Sequence, residues 1–263
     1  MIAHAQFVRR GLRSLLPAAA AFLACGAAHA SLIGYYSFNG NVLDSSGNGK
    51  NGTVHGTVQY TATPWGEALT LDGTSKSNYV TIPIDTTIAS MPQMTYGGWF
   101  YMPQTPSQIE EMITNDDGGY DRTLEVRGGS WVAQNGPAGG WAAGPAVTPK
   151  QWTFVGVSYD NTAGTYLFDV GTHQYTGSTT FNNSSIAGVT YIGVNPFFNY
   201  EFDGSIANVF VYNQALTGAQ LSQLEAAGPS GFAPEPGTVA LFGLAGICGG
   251  AFHLLRRRQE AGR

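Results

Sequence analysis

Short segments rich in Val, Thr, Tyr and Phe, each bounded by clusters of Gly, Asn or Asp, fill the chain between Leu32 and about residue 226. β-Branched and aromatic side chains pack well on a pleated sheet, and Gly and Asn supply the turns between strands. Helical segments do not alternate with these strands, which excludes a parallel βαβ sheet. The pattern predicts a sandwich or barrel with strands at residues 32–38, 67–72, 78–83, 94–102, 109–114, 122–127, 151–159, 165–170, 189–194 and 203–212.

One short helix is predicted after the last strand. Thr217 and Gln220 have the spacing of a capping box, in which each side chain satisfies a free amide of the first helical turn. Leu221 and Leu224 give this helix one apolar edge. Residues 228–233, which begin with Gly and Pro, are predicted to end it and to form a linker.

Charge is scarce, at 11% of residues, and it is unevenly placed. Between Ser31 and Pro236, five Lys and Arg stand against 16 Asp and Glu, a net charge of −11. Nucleic acid is therefore excluded as a partner, and cations or neutral polymers are favoured. The two cysteines, Cys25 and Cys248, lie in apolar end segments, so the central domain has no disulfide.

Residues 1–30 have the three parts of a secretory signal peptide. Three arginines among residues 9–13 form the positive region, and residues 15–25 form an apolar stretch too short to span a bilayer. A small-x-small pattern ends at Ala30, which predicts cleavage there and a mature chain that begins at Ser31.

The C-terminal segment of residues 237–255 contains no acid and no permanent cation. At about 1.5 Å per residue, a helix of this length reaches roughly 28 Å, close to the hydrocarbon thickness of a bilayer. Arg256, Arg257 and Arg258 follow at once. Because short basic flanks stay in the cytoplasm, the segment predicts an inner-membrane helix with the domain outside and residues 259–263 as a cytoplasmic tail.

Pro234, Glu235 and Pro236 stand immediately before this apolar segment. A Pro-Glu-Pro motif, an apolar helix and a terminal Arg cluster together resemble the PEP-CTERM sorting signal of Gram-negative, exopolysaccharide-producing bacteria, here over residues 234–258. The resemblance implies an exosortase-type sorting enzyme as partner and processing near the motif. An ordinary single-pass anchor is the alternative, and both interpretations place the domain outside the inner membrane.

Sequence motifs across the central region occur in a family-specific order. They are YSFNGN at 36–41, DSSG at 44–47, ALTLDG at 68–73, YVTIP at 79–83, WTFVGVSYD at 152–160, FDGSI at 202–206 and VFVYNQAL at 209–216. In this order they resemble laminin-G-like domains of the concanavalin A-like superfamily. The resemblance implies an all-β, two-sheet antiparallel jelly-roll sandwich over residues 31–227.

The same resemblance raises the question of a bound calcium ion. It implies that the strand at Asp203 lies beside the first strand, near Asp44, so Asp44, Asp203 and Asn208 are the predicted ligands. The family usually carries an acid after the Gly-x-Ile of its last block, where this chain has Ala207 and Asn208. The alternative is that Asp44 stabilises its own turn through backbone hydrogen bonds.

The superfamily also includes glucanases, whose signature resembles Glu-x-Asp-x-x-Glu. This chain has Glu201 and Asp203 but Ile206 at the last position, and Ile206 cannot transfer a proton. The paired acids at 110–111 and 116–117 are interpreted as solvated. The sequence therefore predicts a protein that is not an enzyme.

Aromatic residues in Gly-rich segments are the candidate sugar-binding residues. Tyr120, Trp131 and Trp141 are predicted to contact a ligand, the alternative being that both tryptophans pack over a sheet edge. Together with the sorting signal they predict a role in adhesion to, or organisation of, extracellular polysaccharide in the biofilm matrix. A structural matrix protein without sugar specificity and a polysaccharide hydrolase remain the alternatives.

Overall fold

The computed structural model describes residues 30–116, 121–136, 140–179 and 188–231. Within them the chain forms strands β1 (Leu32–Tyr36), β2 (Thr53–His55), β3 (Gln59–Thr63), β4 (Gly66–Asp72), β5 (Tyr79–Ile82), β6 (Gln93–Tyr101), β7 (Glu110–Thr114), β8 (Thr123–Arg127), β9 (Ser130–Gly136), β10 (Gly140–Ala146), β11 (Trp152–Asp160), β12 (Thr165–Val170), β13 (His173–Ser178), β14 (Thr190–Ile192) and β15 (Asp203–Tyr212), and helix α1 (Gly218–Gly231).

The strands form two antiparallel sheets. The eight-stranded sheet has the order β13-β12-β11-β6-β15-β4-β3, with β1 also paired to β15, and the seven-stranded sheet has the order β10-β9-β8-β7-β14-β5-β2. Strand β15 pairs with two strands along the same edge: β4 pairs with its first half and β1 with its second half. The register of β15 is irregular between these halves, after Ala207. Neighbouring strands are often distant in sequence, as in a jelly roll. The predicted two-sheet antiparallel sandwich is confirmed.

The main core lies between the two sheets and follows the two-residue period of the strands. Along β11, Val155, Val157 and Tyr159 point into this core, and Phe154 points to the opposite, outer face. Burial of each large apolar side chain contributes about 1.5–3 kcal/mol, which offsets the entropy of ordering the chain. The domain is therefore held together by side chains that alternate between the two faces of each strand.

Helix α1 packs on the outer face of the eight-stranded sheet. Leu221 and Leu224 form a second buried cluster with Phe154 and neighbouring residues. The predicted capping box is present, since the Thr217 amide donates to Gln220 Oε1 at 2.8 Å and the Gln220 amide donates to Thr217 Oγ1 at 3.3 Å. The helix is broken at Gly228 (φ 66°), near the predicted end, but helical structure continues to Gly231, where the sequence predicted a linker.

Segments β2, β3, β9, β10 and β13 are strands that the sequence pattern did not predict. Gly, Ala, Gln and Asn dominate β9 and β10, and Val132 is their one β-branched residue, so the composition that marks a strand is weak in both segments. Their pairing with neighbouring strands outweighs this weak local preference.

The predicted signal peptide before Ala30 and the sorting segment of residues 234–258 lie outside the described residues. In the part of the chain that the structure describes, no helix has both the length and the apolar character needed to cross a membrane. Ser31, the predicted first residue of the mature chain, exchanges two hydrogen bonds with Asn213, at 3.1 and 3.2 Å.

Candidate functional site

The outer face of the seven-stranded sheet collects polar and aromatic side chains. Along β5, Val80 and Ile82 enter the core, so Tyr79 and Thr81 lie on the outer face. Thr81 is opposite Tyr191 of β14, whose neighbour Ile192 is in the core. The outer face therefore carries aromatic side chains at the edge formed by β2, β5 and β14.

Four rings pack together at this edge, and we refer to them as the aromatic cluster: His55, Tyr79, Tyr191 and Phe198. The His55 and Tyr79 rings are stacked, with centroids 4.3 Å apart and an interplanar angle of 9°. Tyr79 also contacts Tyr191 at 5.8 Å and Phe198 at 5.4 Å. Tyr79 is thus the central ring of the cluster, held on three sides.

A shallow cavity of about 490 Å³, largely open to solvent, lies over this cluster. We call it the aromatic groove; it is lined by His55, Gly56, Lys76, Ser77, Tyr79 and Phe198.

Local backbone geometry fixes both walls of the groove. Gly56 has a φ of 66°, and a Cβ there would lie 2.4 Å from the Ser77 carbonyl oxygen, so only glycine permits this close approach. The Thr57 amide donates to Asn78 Oδ1 at 3.0 Å, which ties the end of β2 to the β4–β5 loop. On the other wall Phe198 adopts a φ of 56°, a region that large residues rarely occupy and that is often found at binding sites.

Two glutamates occupy the centre of the outer face. Glu111 of β7 is directly opposite Glu125 of β8, and each is only 1% exposed. Arg127 Nε donates to Glu125 Oε1 at 2.7 Å, and Gln134 Nε2 donates to the same oxygen at 3.0 Å. Glu111 Oε2 is buried without a hydrogen-bond partner among the described residues. Burial, followed by repulsion from Glu125, raises the pKa of Glu111 well above its ordinary value.

Trp141 stands at the far edge of the outer face, on β10, where it is opposite Gln134. The Arg127 guanidinium lies 4.9 Å from the centroid of the Trp141 ring, a cation–π contact. The ring is 44% exposed at the sheet edge, and ligand contact by Trp141 stays a prediction. The acids in the centre and the aromatic rings at the two edges thus share one face.

Trp131 does not belong to this face, and the prediction that it contacts a ligand is wrong. It is 1% exposed, belongs to the main core and packs 6.3 Å from Phe100 between ring centroids. Because β9 is a strand and not a loop, alternation turns Trp131 inward. Tyr120, the third predicted ligand-binding residue, lies outside the described residues.

The three predicted calcium ligands are divided between two places. Asp44 and Asn208 both bond to Tyr35, through its amide at 3.0 Å and its hydroxyl at 2.6 Å. Asp203 lies instead opposite Asp72, and the Gln104 amide donates to it at 3.4 Å.

Backbone amides already occupy both oxygens of Asp44, since Oδ1 accepts from Tyr35 and Ser46 and Oδ2 accepts from Lys50 at 2.9 Å. The described residues contain no group of three or more His, Cys, Asp or Glu placed to hold a metal ion. This geometry favours the alternative of a turn-stabilising Asp44.

The predicted solvated acids are also corrected in part, because Glu111 and Asp116 are buried. Glu110 is half-buried, and its Oε2 accepts from the Asp203 amide at 2.9 Å. Burial raises the pKa of Glu110 to about 7 against the lowering effect of that hydrogen bond. Ile206, at the position of the second glucanase carboxylate, is in the core. Of the glucanase-like signature, only Glu201 and Asp203 carry a carboxyl group.

The sandwich and its outer face define a carbohydrate-binding-type domain of the concanavalin A-like class. Residues 72–222 match the model of a laminin G family described as the concanavalin A-like lectin/glucanases superfamily, and the chain belongs to this family. The family resemblance predicted from the sequence motifs is confirmed. No curated protein matches the chain.

Solved structures share the fold at low sequence identity. Domain 4 of AbnA, a GH43 extracellular arabinanase from Geobacillus stearothermophilus solved with arabinotriose, is 21% identical with a TM-score of 0.57, covering 74% of this chain and 98% of that one. The binding domain of Paraclostridial Mosquitocidal Protein 1 is 12% identical with a TM-score of 0.59, over 74% and 51%. The binding domain of botulinum neurotoxin serotype D is 12% identical with a TM-score of 0.58, over 75% and 52%. The chain spans about half the length of these two toxin domains.

Proposed function

We propose that this protein is a non-catalytic glycan-binding protein whose aromatic groove holds a sugar ring. The carrying observation is Tyr79, a ring held on three sides at the base of a cavity of about 490 Å³ on the outer face. Binding sites of this size are mostly apolar, with a few polar groups that fix orientation. Ser77 and Lys76 at the rim supply such polar groups.

The fold neighbours support a glycan in preference to another ligand. The arabinanase domain was solved with arabinotriose, and a botulinum neurotoxin binding domain was solved with a sialylated sugar ligand. These similarities concern the fold, and the proposal for this chain rests on its own groove.

Absence of catalysis is part of the proposal. Hydrolysis of a glycosidic bond uses two carboxyl groups that reach the bond from opposite sides. Glu111 and Glu125 are the closely paired carboxyls of the outer face, but both are buried, and Glu125 is held by Arg127 and Gln134. A buried carboxylate held in this way contributes to the fold and is not placed to transfer a proton to a polymer.

We also propose that the protein is exported and held at the outer side of the inner membrane by residues 237–255, and then processed by an exosortase-type enzyme. Support comes from the signal-peptide pattern ending at Ala30 and from Pro234, Glu235 and Pro236 before the apolar segment. At that location the partner is extracellular polysaccharide, which the domain adheres to or organises.

Affinity electrophoresis of the purified full-length chain through gels that contain polysaccharide tests the binding function. We expect a polysaccharide to retard the parent protein and retard Tyr79→Ala less, because the substitution removes the base of the groove. Tyr60→Ala is the matched control, since Tyr60 is a half-buried tyrosine on β3 of the other sheet.

Equal retardation of the parent protein and Tyr79→Ala would remove the aromatic groove as the site. Release of reducing ends from a bound polysaccharide would contradict the non-catalytic assignment. Absence of retardation across acidic and neutral polymers would favour the structural matrix alternative.

A further inference from the structure

Lys76 lies at the rim of the aromatic groove, on the loop between β4 and β5, and its side chain is exposed. Among the described residues, Lys76 forms no salt bridge with a carboxylate. The groove therefore combines an exposed ammonium group, from Lys76, with aromatic rings in its lining.

The loop that carries Lys76 has defined hydrogen bonds. The Asn78 amide donates to the Ser75 carbonyl at 3.1 Å, and the Ser77 amide donates to Ser75 Oγ at 3.4 Å. Asn78 Oδ1 in turn accepts from Thr57 at the end of β2. The backbone on both sides of Lys76 is therefore fixed relative to Tyr79, and only the lysine side chain is free to adapt.

The other Lys and Arg side chains of the domain either bind other protein groups or lie outside the groove. Arg122 is buried and donates to three carbonyl oxygens and to Asn161 Oδ1. Arg127 is paired with Glu125. Lys50 and Lys150 are exposed but do not line the groove. Among the described residues, Lys76 is therefore the Lys or Arg side chain that a ligand in the groove would contact.

We infer that the aromatic groove selects an acidic sugar, a uronic-acid unit whose ring packs against the aromatic rings that line the groove and whose carboxylate pairs with Lys76. This inference rests on the proposed glycan-binding function and specifies its ligand class. A carboxylate attached to a pyranose ring lies at the edge of that ring, as Lys76 lies at the edge of the groove. The pairing is charge-assisted, which makes it the strongest polar contact that the rim offers.

The net charge of −11 favoured neutral polymers, and the local arrangement at Lys76 reverses that expectation for a short ligand. At physiological ionic strength the Debye length is about 8 Å, so acids farther than this from the groove are largely screened. Lys76 lines the groove itself, so its ammonium acts on a bound carboxylate at short range. A long polyanion would still meet repulsion from the rest of the surface.

Isothermal titration of the full-length chain with an oligogalacturonate and with its methyl ester tests this inference. The two ligands share the sugar ring and differ in the charge of the carboxylate. Measurement at 0.15 M salt screens long-range electrostatic interactions with the rest of the protein surface. We expect the acid to bind about ten-fold more tightly than the ester, as for a hydrogen bond to a charged group.

Lys76→Gln should abolish that difference by weakening the acid and leaving the ester unchanged. Lys150→Gln, the matched control, should change neither, and Tyr79→Ala should weaken both ligands. An uncharged oligosaccharide, which carries no carboxylate, should bind no better than the ester.

Several outcomes would overturn the inference and leave the proposed function intact. These are equal binding of acid and ester, an acid preference that survives in Lys76→Gln, an equal loss in Lys150→Gln, or an uncharged oligosaccharide that matches the acid. If the parent protein binds none of these ligands nor any neutral oligosaccharide, the proposed glycan-binding function itself fails.

Discussion

Glu111 and Glu125 lie directly opposite each other on β7 and β8, both buried on the outer face, and one oxygen of Glu111 has no hydrogen-bond partner in the described part of the chain. Opposed like charges on adjacent strands destabilise a sheet, so this pair is tolerated only when it is partly neutralised. Arg127 and Gln134 provide this for Glu125, whereas Glu111 is favoured in its protonated form.

The first prediction concerns stability against pH. Burial raises the pKa of Glu111 and that of Glu125, and it raises the pKa of Glu110 to about 7. Folded carboxyls with raised pKa values bind more protons than the unfolded chain, so their contribution to stability is complete below about pH 4.3 and declines as pH rises through the folded pKa values. We expect the melting temperature to fall between pH 5 and pH 8.

Glu111→Gln should reduce this pH dependence and raise stability at pH 8, because a neutral amide removes the cost of ionising a buried carboxyl group. Thermal unfolding at pH 5 and pH 8 measures the effect, with Glu67→Gln, an exposed acid on β4, as the control. An unchanged pH profile in Glu111→Gln would contradict the assignment of a protonated Glu111.

The second prediction separates the two tryptophans that the sequence treated alike. Trp131→Ala removes a ring from the main core and should cost about 3–5 kcal/mol of unfolding free energy. Trp141→Ala removes a half-exposed ring with one cation–π contact and should cost no more than about 1 kcal/mol. Urea denaturation of both variants measures the difference, and similar losses would place Trp131 outside the core.

The third prediction concerns Phe198, the strained wall of the groove. Phe198→Gly removes the ring but suits the left-handed backbone, so relief of strain partly offsets the lost contacts with Tyr79 and Tyr191. We expect glycan affinity to fall about ten-fold while the urea midpoint changes little. A large loss of stability with intact affinity would show that Phe198 is a packing residue and not a ligand contact.

Most strands were predictable because their own residues alternate, as Tyr79, Val80 and Thr81 do on β5. Amino-acid composition did not predict β9 and β10. Trp131 and Trp141 lie there in segments rich in Gly, Ala and Gln, which form strands through pairing with their neighbours. With these strands read as a loop, the direction of each tryptophan could not be derived.

The candidate site was less predictable, because its residues are brought together by long-range pairing. His55 meets Tyr79 through the β2–β5 register, and Phe198 reaches Tyr79 and Tyr191 from the loop between β14 and β15. Similarly, the opposition of Glu111 and Glu125 depends on the register of β7 and β8, which shifts after Glu111. Neither relationship has a local sequence signal.

The fourth prediction concerns Arg122, a buried cation between the sheets. Its guanidinium donates to the Thr86 and Met91 carbonyls at 2.9 and 2.6 Å and lies 5.5 Å from the Tyr159 ring centroid. Arg122→Lys keeps the charge but loses the planar set of donors, which leaves carbonyl oxygens buried without partners. We expect a loss of about 3 kcal/mol in chemical denaturation; a loss below 1 kcal/mol would mean that water satisfies these carbonyls.

The last prediction distinguishes calcium binding at Asp44 from a purely structural turn. Burial raises the pKa of Asp44, but hydrogen bonds from the Ser46 side chain and from three backbone amides outweigh it and leave the pKa lowered. Asp44 therefore stabilises the fold above its unfolded pKa and loses this effect as pH falls below about 4. Asp44→Ala should cost about 1–3 kcal/mol at pH 7. If the turn alone is responsible, the parent protein melts at the same temperature in 1 mM calcium and in a chelator. A rise in melting temperature with calcium that is absent from Asp44→Ala would instead establish a metal site at Asp44.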